Sequence, residues 1–162
     1  AREWDEWFGR SIDVGGLERE RNILRYRPAS TQVRGCADAK LVDVARVVAA
    51  GLLAAGDNIS VCLDPSLGEG LGRALRSVGV AVTTASDEDW YASLGASRVR
   101  LVGGNPSRAA DEADGDPDLA LWANEVTSAP QVELLPFLRE QSVSMTAHRF
   151  GNPDAGVLSV RL

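Results

Sequence analysis

The chain has 162 residues, 44% of them hydrophobic and 25% charged; this is the length of one ordinary domain and excludes a disordered chain. Seventeen basic against twenty-three acidic residues leave a net charge of −6, which excludes the concentrated basic surface of a nucleic-acid binder. No Gly-x-x-x-x-Gly-Lys-Ser/Thr stretch occurs, so a P-loop hydrolase is excluded. The longest apolar run, Val47–Ala55, falls far short of the ~20 residues of a membrane span.

With no basic-then-apolar leader, the chain reads as cytoplasmic. Cys36 and Cys62 sit among apolar neighbours and read as small core residues of a reducing compartment. With His148 the single histidine, no metal site is expected. The absence of an initiating Met suggests a piece of a larger protein.

Residues 1–28 combine Trp4, Trp7, the Gly15-Gly16 pair and the charged run Glu18–Arg21, which suits a linker or an edge strand. Tyr26-Arg27-Pro28 reads as extended, because the residue before a proline avoids the helical region. Thr31–Cys36 is a strand. Asp38 is placed to cap a helix with Leu41, Val44, Ala45, Val48 and Leu52 at helical spacing, ending at Gly56. Asn58–Leu63 is an apolar strand halted by Asp64-Pro65. Ser66 is placed to cap a second helix through Leu67, Leu71, Ala74, Leu75 and Val78, closed by Gly79.

Val80–Thr84 is the next strand, Asp87–Leu94 a short helix opened by a carboxylate cluster, and Arg98–Val102 a further strand. Gly103-Gly104 turns into a helix over Pro106–Ala113. The acidic stretch Asp111–Asp118 reads as a solvated loop and Asp118–Ala123 as a strand. Val132–Gln141 is expected as the last helix, with Glu133 and Glu140 on a solvated face, and Ser142–Thr146 as the last strand. Strands separated by such helices pair in parallel with right-handed crossovers. The expectation is an α/β, Rossmann-like open sheet over 29–146, mostly parallel with helices on both faces, preceded by a linker over 1–28 and followed by a tail over 147–162.

Open α/β sheets bind ligands at the carboxyl ends of their strands. Two glycine-bearing turns lie there. Asp64–Gly72 fails the Gly-x-Gly-x-x-Gly fingerprint in both registers, since Arg73 or Leu75 stands at the last position. Val102–Ser107 lies between a strand and a helix start that could receive an anion, although paired glycines after a strand are also plain turn chemistry. No Gly-x-Ser-x-Gly elbow exists, and His148, with Arg149 and Phe150, reads as a docking surface rather than part of a catalytic triad.

Two segments carry a resemblance. Ala45–Ser66 is similar to the helix–strand unit of the aldehyde dehydrogenase cofactor domain, whose helix ends "ALAAGN" and whose strand closes on "KPS". The stretch Val126–Pro153, containing Leu-Pro-Phe-Leu-Arg-Glu-Gln and Thr-Ala-His-Arg-Phe-Gly, resembles the C-terminus of actinobacterial proline utilisation A proteins, bifunctional proline dehydrogenase / L-glutamate γ-semialdehyde dehydrogenases. Glu20–Pro28 is similar to their linker leaving the aldehyde dehydrogenase domain.

The resemblance implies a degenerate, truncated aldehyde-dehydrogenase-type domain that does no chemistry itself. It implies docking on the preceding aldehyde dehydrogenase domain of the same chain, through Thr146, His148, Arg149, Phe150 and Gly151, and help in enclosing the passage for the pyrroline-5-carboxylate/semialdehyde intermediate. Asp64 stands where the family's cofactor-binding Lys would be. Gly103–Arg108 keeps only the first residue of its Gly-Ser-Thr-x-x-Gly phosphate turn. The Gly-Gln-x-Cys nucleophile and Glu-Leu-Gly-Gly-Lys base motifs are absent. No cofactor is therefore expected here, while NAD and FAD belong to the implied parent oxidoreductase. The alternatives are a genuine NAD(P)-binding domain, with Asp64 on ribose and Gly103 and Gly104 on phosphate, and a subunit-assembly module forming a homo-oligomer through a sheet edge.

Overall fold

A computed structural model describes residues 2–149, 152–153, 156 and 159–160. After a helical turn at Trp4–Phe8, the elements are β1 (Ile12–Asp13), β2 (Glu20–Pro28), β3 (Thr31–Gly35), α1 (Leu41–Ala55), β4 (Ile59–Leu63), α2 (Glu69–Ser77), β5 (Ala81–Thr84), α3 (Asp87–Ala92), β6 (Arg98–Val102), α4 (Pro106–Glu112), β7 (Ala120–Trp122), α5 (Pro130–Leu134), β8 (Leu138–Thr146), β9 (His148–Arg149) and β10 (Asn152–Pro153). They form two compact units, Pro28–Leu138 and the paired ends Ala1–Arg27 with Arg139–Leu162.

The first unit is α/β, a five-stranded parallel sheet in the order β5-β4-β3-β6-β7. This is the Rossmann-like open sheet, with strands added on one side of β3 as far as β5 and then on its other side from β6. β3, β4 and β6 are central, so both their faces are covered, and Val33, Val61, Val99 and Leu101 are at most 1% exposed. On one face Cys36, Cys62, Val99 and Leu101 pack with Trp90 and Tyr91 of α3 and Ala109 of α4. On the other face lie α1 and α5, where a Cβ on Gly51 would meet the Phe137 ring at 2.8 Å; the bare glycine lets the ring seat against the helix.

Several local expectations are corrected. Asp38 does not cap α1, whose first turn has no side-chain cap. Leu41, Ala45 and Leu52 are exposed, and Val47, Gly51 and Ala54 bury in their place. Asp64, not Ser66, is the cap after β4: its side chain accepts the Ser66 amide. Val78 is exposed.

The largest correction falls at 132–141. α5 stops at Leu134, Pro136 follows in a tight turn, and Leu138–Thr146 runs on as one strand. A proline supplies no N–H to continue a helical ladder, and Phe137 turns inward to full burial. Glu133 is therefore buried, while Glu140 stands exposed on a strand.

In the second unit β2 is central, flanked by β1 and β8. The sheet is stitched across long separations by Ser144 donating to Asn22 at 2.8 Å and by Arg25 donating to Gln141 at 2.7 Å. Phe8 packs edge-on to Tyr26 with ring centroids 4.9 Å apart. β9 and β10 pair as a separate antiparallel ladder, Arg149 opposite Asn152 and His148 opposite Pro153. Among the described residues no helix is long and apolar enough to cross a membrane.

Candidate functional site

The site to examine is the carboxyl edge of the parallel sheet, where β3, β4, β5 and β6 deliver their following turns. A ligand phosphate would need free backbone amides here, together with the positive end of a helix. Gly103 and Gly104 have the positive φ angles, 72° and 74°, of a turn suited to the purpose.

The amides of Gly104, Asn105, Ser107 and Arg108 are all engaged within the chain. Gly104 N donates to Asp38 Oδ1 at 2.6 Å, and Asn105 N donates to the Tyr91 hydroxyl at 2.8 Å. Ser107 N and Arg108 N both donate to Asn105 Oδ1, at 3.0 and 3.2 Å. A Cβ at Gly103 would collide with the Asp38 carboxylate, and one at Gly104 with Cys36 Sγ and the Tyr91 hydroxyl. The glycines thus admit the chain's own side chains at close range.

The charge around the turn points the same way. The adjoining cleft, about 380 Å³, is lined by Asp38, Asp43 and Glu125 against Lys40 alone. The α/β unit as a whole holds eight basic against fifteen acidic residues, a field that repels an anion.

Asp64 is equally committed. It is 8% exposed. Its Oδ1 accepts the Ser66 amide at 2.9 Å and the Ser66 hydroxyl at 2.6 Å, and its Oδ2 accepts the Asp87 amide at 3.0 Å. Burial alone would raise its pKa, but these donors outweigh it and hold the carboxyl below the usual range. Asp64 ties the end of β4 to the start of α3, and both oxygens are already supplied with donors.

Beneath this edge lies a group that sequence reasoning passed over. Arg34 of β3 is fully buried. Its Nη2 pairs with Asp87 at 2.5 Å, its Nη1 donates to Ala85 O at 3.0 Å and Cys62 Sγ at 3.2 Å, and Trp90 covers the guanidinium at 5.3 Å. Asp87 Oδ2 also accepts the Ala37 amide at 3.1 Å. Burial pushes the nearby Cys36 thiol up to about 11, with the Asp87 charge adding to the effect, so this thiol is no nucleophile at neutral pH.

A second buried cation, Arg100 of β6, lies on the opposite face, because Val33 pairs with Arg100 and Arg34 with Leu101. It meets Glu133 at 3.1 Å and donates to the carbonyls of Leu101, Trp122 and Asn124 at 2.9, 3.3 and 2.9 Å. Glu133 Oε1 accepts the Thr127 amide at 2.7 Å as well. The signal for both arginines was in view: a charged residue inside an otherwise apolar central strand demands a buried partner.

The residues expected to dock are Thr146, His148, Arg149, Phe150 and Gly151. Thr146 is exposed at the end of β8, and His148 and Arg149 form β9. Phe150 and Gly151 lie outside the described residues. Asp64, Gly103 and Gly104 belong to the carboxyl edge of the α/β unit, whereas Thr146, His148 and Arg149 belong to the other unit. Among the described residues no group of three or more His, Cys, Asp or Glu could hold a metal ion.

No family model matches the chain. No curated protein matches it either. Among solved structures it is similar to one titled "Structure of Proline Utilization A (PutA) from Corynebacterium freiburgense", at 25% sequence identity and a TM-score of 0.53. The match covers 93% of this chain and 13% of that one, so nearly all of this chain corresponds to a small part of a much longer protein.

Proposed function

We propose that this chain is a non-catalytic auxiliary domain of a bifunctional proline-catabolic enzyme, which converts proline to glutamate by way of pyrroline-5-carboxylate and glutamate semialdehyde. The observation that carries the reading is the match to a proline utilisation A structure along 93% of this chain. In this reading the domain docks on the aldehyde dehydrogenase domain of the parent and helps enclose the passage of the intermediate. NAD and FAD are held elsewhere in the parent.

The closed carboxyl edge supports the absence of a cofactor from this domain. A pyrophosphate at Gly103-Gly104 would have to displace Asp38, Tyr91 and Asn105 from their amides, and a ribose at Asp64 would have to displace Ser66 and Asp87. Docking then falls to the unit built from the chain ends. There the exposed strand β8 ends at Thr146 and leads into His148 and Arg149 of β9, the segment assigned to docking.

The test is deletion of 146–162 from the longer protein that carries this chain, followed by proline-dependent NADH formation. The expected result is a lag and a lower coupled rate, with each half-reaction intact when given its own substrate. An unchanged coupled rate without a lag overturns the reading.

A further inference from the structure

α1 carries an outward face that its own unit leaves uncovered. A helix lying on a sheet should be polar on its solvent side. Here that side presents Leu41, Val42, Ala45, Ala49, Leu52 and Leu53, interrupted by one charge, Arg46. The four large side chains are 49%, 61%, 36% and 40% exposed. The helix's other charge, Asp43, already meets Arg46 at 3.2 Å, so a partner closing over this face strands no unmatched charge. Alongside runs a groove of about 280 Å³, walled by Ala49, Ala50 and Leu53 on one side and by Thr127–Pro130 and Leu134 on the other. An exposed apolar patch rimmed in this way is the mark of an interface.

The order of these residues identifies the occupant. Counted from Val47, Leu41 mirrors Leu53, Val42 mirrors Leu52 and Ala45 mirrors Ala49. A surface complementary to itself in reverse order is what a two-fold contact requires. In an antiparallel pair about Val47, the alanines meet at the centre, where two helix axes must approach within 8–10 Å, and the large side chains meet at both ends. We infer that the outward face of α1 is a homodimer contact in which α1 pairs antiparallel with α1 of a second copy, each copy seating its Leu41 in the partner's groove. This contact uses neither the carboxyl edge nor the chain ends, and it stands apart from the auxiliary reading above.

Sedimentation equilibrium of the 162-residue chain should rise from 17.2 kDa toward twice that mass between micromolar and millimolar concentration. Val42→Glu and Leu53→Glu change exposed residues, so each variant should keep the parent's circular dichroism and melting temperature. Leu53→Glu should weaken dimerisation at least ~100-fold, because two unmatched carboxylates enter the contact; Val42→Glu, four residues before Arg46, should weaken it in the same direction but less. Val78→Glu, at a site 64% exposed and outside α1, should dimerise as the parent does.

An equal mixture of Ala45→Cys and Ala49→Cys chains should oxidise to a covalent heterodimer, while neither variant alone should cross-link. A chain monomeric at every concentration overturns the inference. So does a dimer indifferent to both glutamates, or one that forms no mixed cross-link.

Discussion

Arg34 and Arg100 occupy neighbouring strands of one sheet, each fully buried, one on either face, yet their surroundings differ. Arg100 is enclosed by a carboxylate only 3% exposed and by three backbone carbonyls. Arg34 has a partner, Asp87, whose side chain is 28% exposed. The Arg34 Nε is a buried nitrogen that meets no acceptor among the described residues. The first site is a sealed structural lock; the second sits just under the edge where a ligand would enter and is left incompletely satisfied. Both turn positions that a central parallel strand ordinarily leaves apolar into ties between strand and helix.

The difference between the two sites shows most sharply at Glu133. Glu133→Ala leaves Arg100 charged, buried and without a counter-ion, a loss of about 3–5 kcal/mol. For a chain of this size that is a fall in melting temperature on the order of 10–15 °C, readable by calorimetry. Replacing the pair together by Met and Leu should restore most of the loss, because apolar packing can substitute for a buried ion pair. If the double replacement is as damaged as the single, the pair does more than balance itself.

Asp87→Ala should cost less, about 2 kcal/mol, since water can reach the vacated position and Arg34 keeps Ala85 O and Cys62 Sγ. A loss equal to that of Glu133→Ala would erase the distinction between the two sites.

An effect confined to alkaline pH comes from the thiol beside Arg34. Cys36 is raised from 9.0 to about 11 in the folded chain, so the unfolded state releases its proton first as pH rises. The associated stability is full below pH 9 and is lost on the way to pH 11, amounting to about 2 kcal/mol. Burial raises the Tyr91 hydroxyl too, which contributes with the same sign. Denaturant midpoints between pH 8 and pH 11 should fall, and Cys36→Ala should flatten part of that slope. An unchanged slope in Cys36→Ala would assign the loss elsewhere.

The parallel sheet was legible in the sequence because its signals are local. Arg98–Val102 is a strand to the residue, and Thr31–Gly35, α1 and Pro106–Glu112 follow from apolar runs punctuated by glycine, proline and capping side chains. What stayed hidden depends on distant partners. Asp38 looks like a helix cap until Gly104, 66 residues away, takes its carboxylate. Arg139–Gln141 looks helical until Arg25, 116 residues from Gln141, meets it across a sheet. Glu133 reads as solvated because nothing near it in sequence announces Arg100. The candidate site was half legible for the same reason: Asp64, Gly103 and Gly104 stand where expected, but which donors and acceptors fill them is decided by Ser66, Asp87, Asp38, Tyr91 and Asn105 together.

The carboxyl edge is closed by the chain's own side chains. Calorimetric titration of NAD⁺ into the chain, carried to millimolar ligand, tests it directly. No saturable heat is expected, because the amides of Gly104, Asn105, Ser107 and Arg108 are already engaged and Asp64 has both oxygens occupied. Heat saturating at micromolar to low millimolar NAD⁺ would mean that those contacts yield to a nucleotide, and the auxiliary reading would give way to a cofactor-holding one.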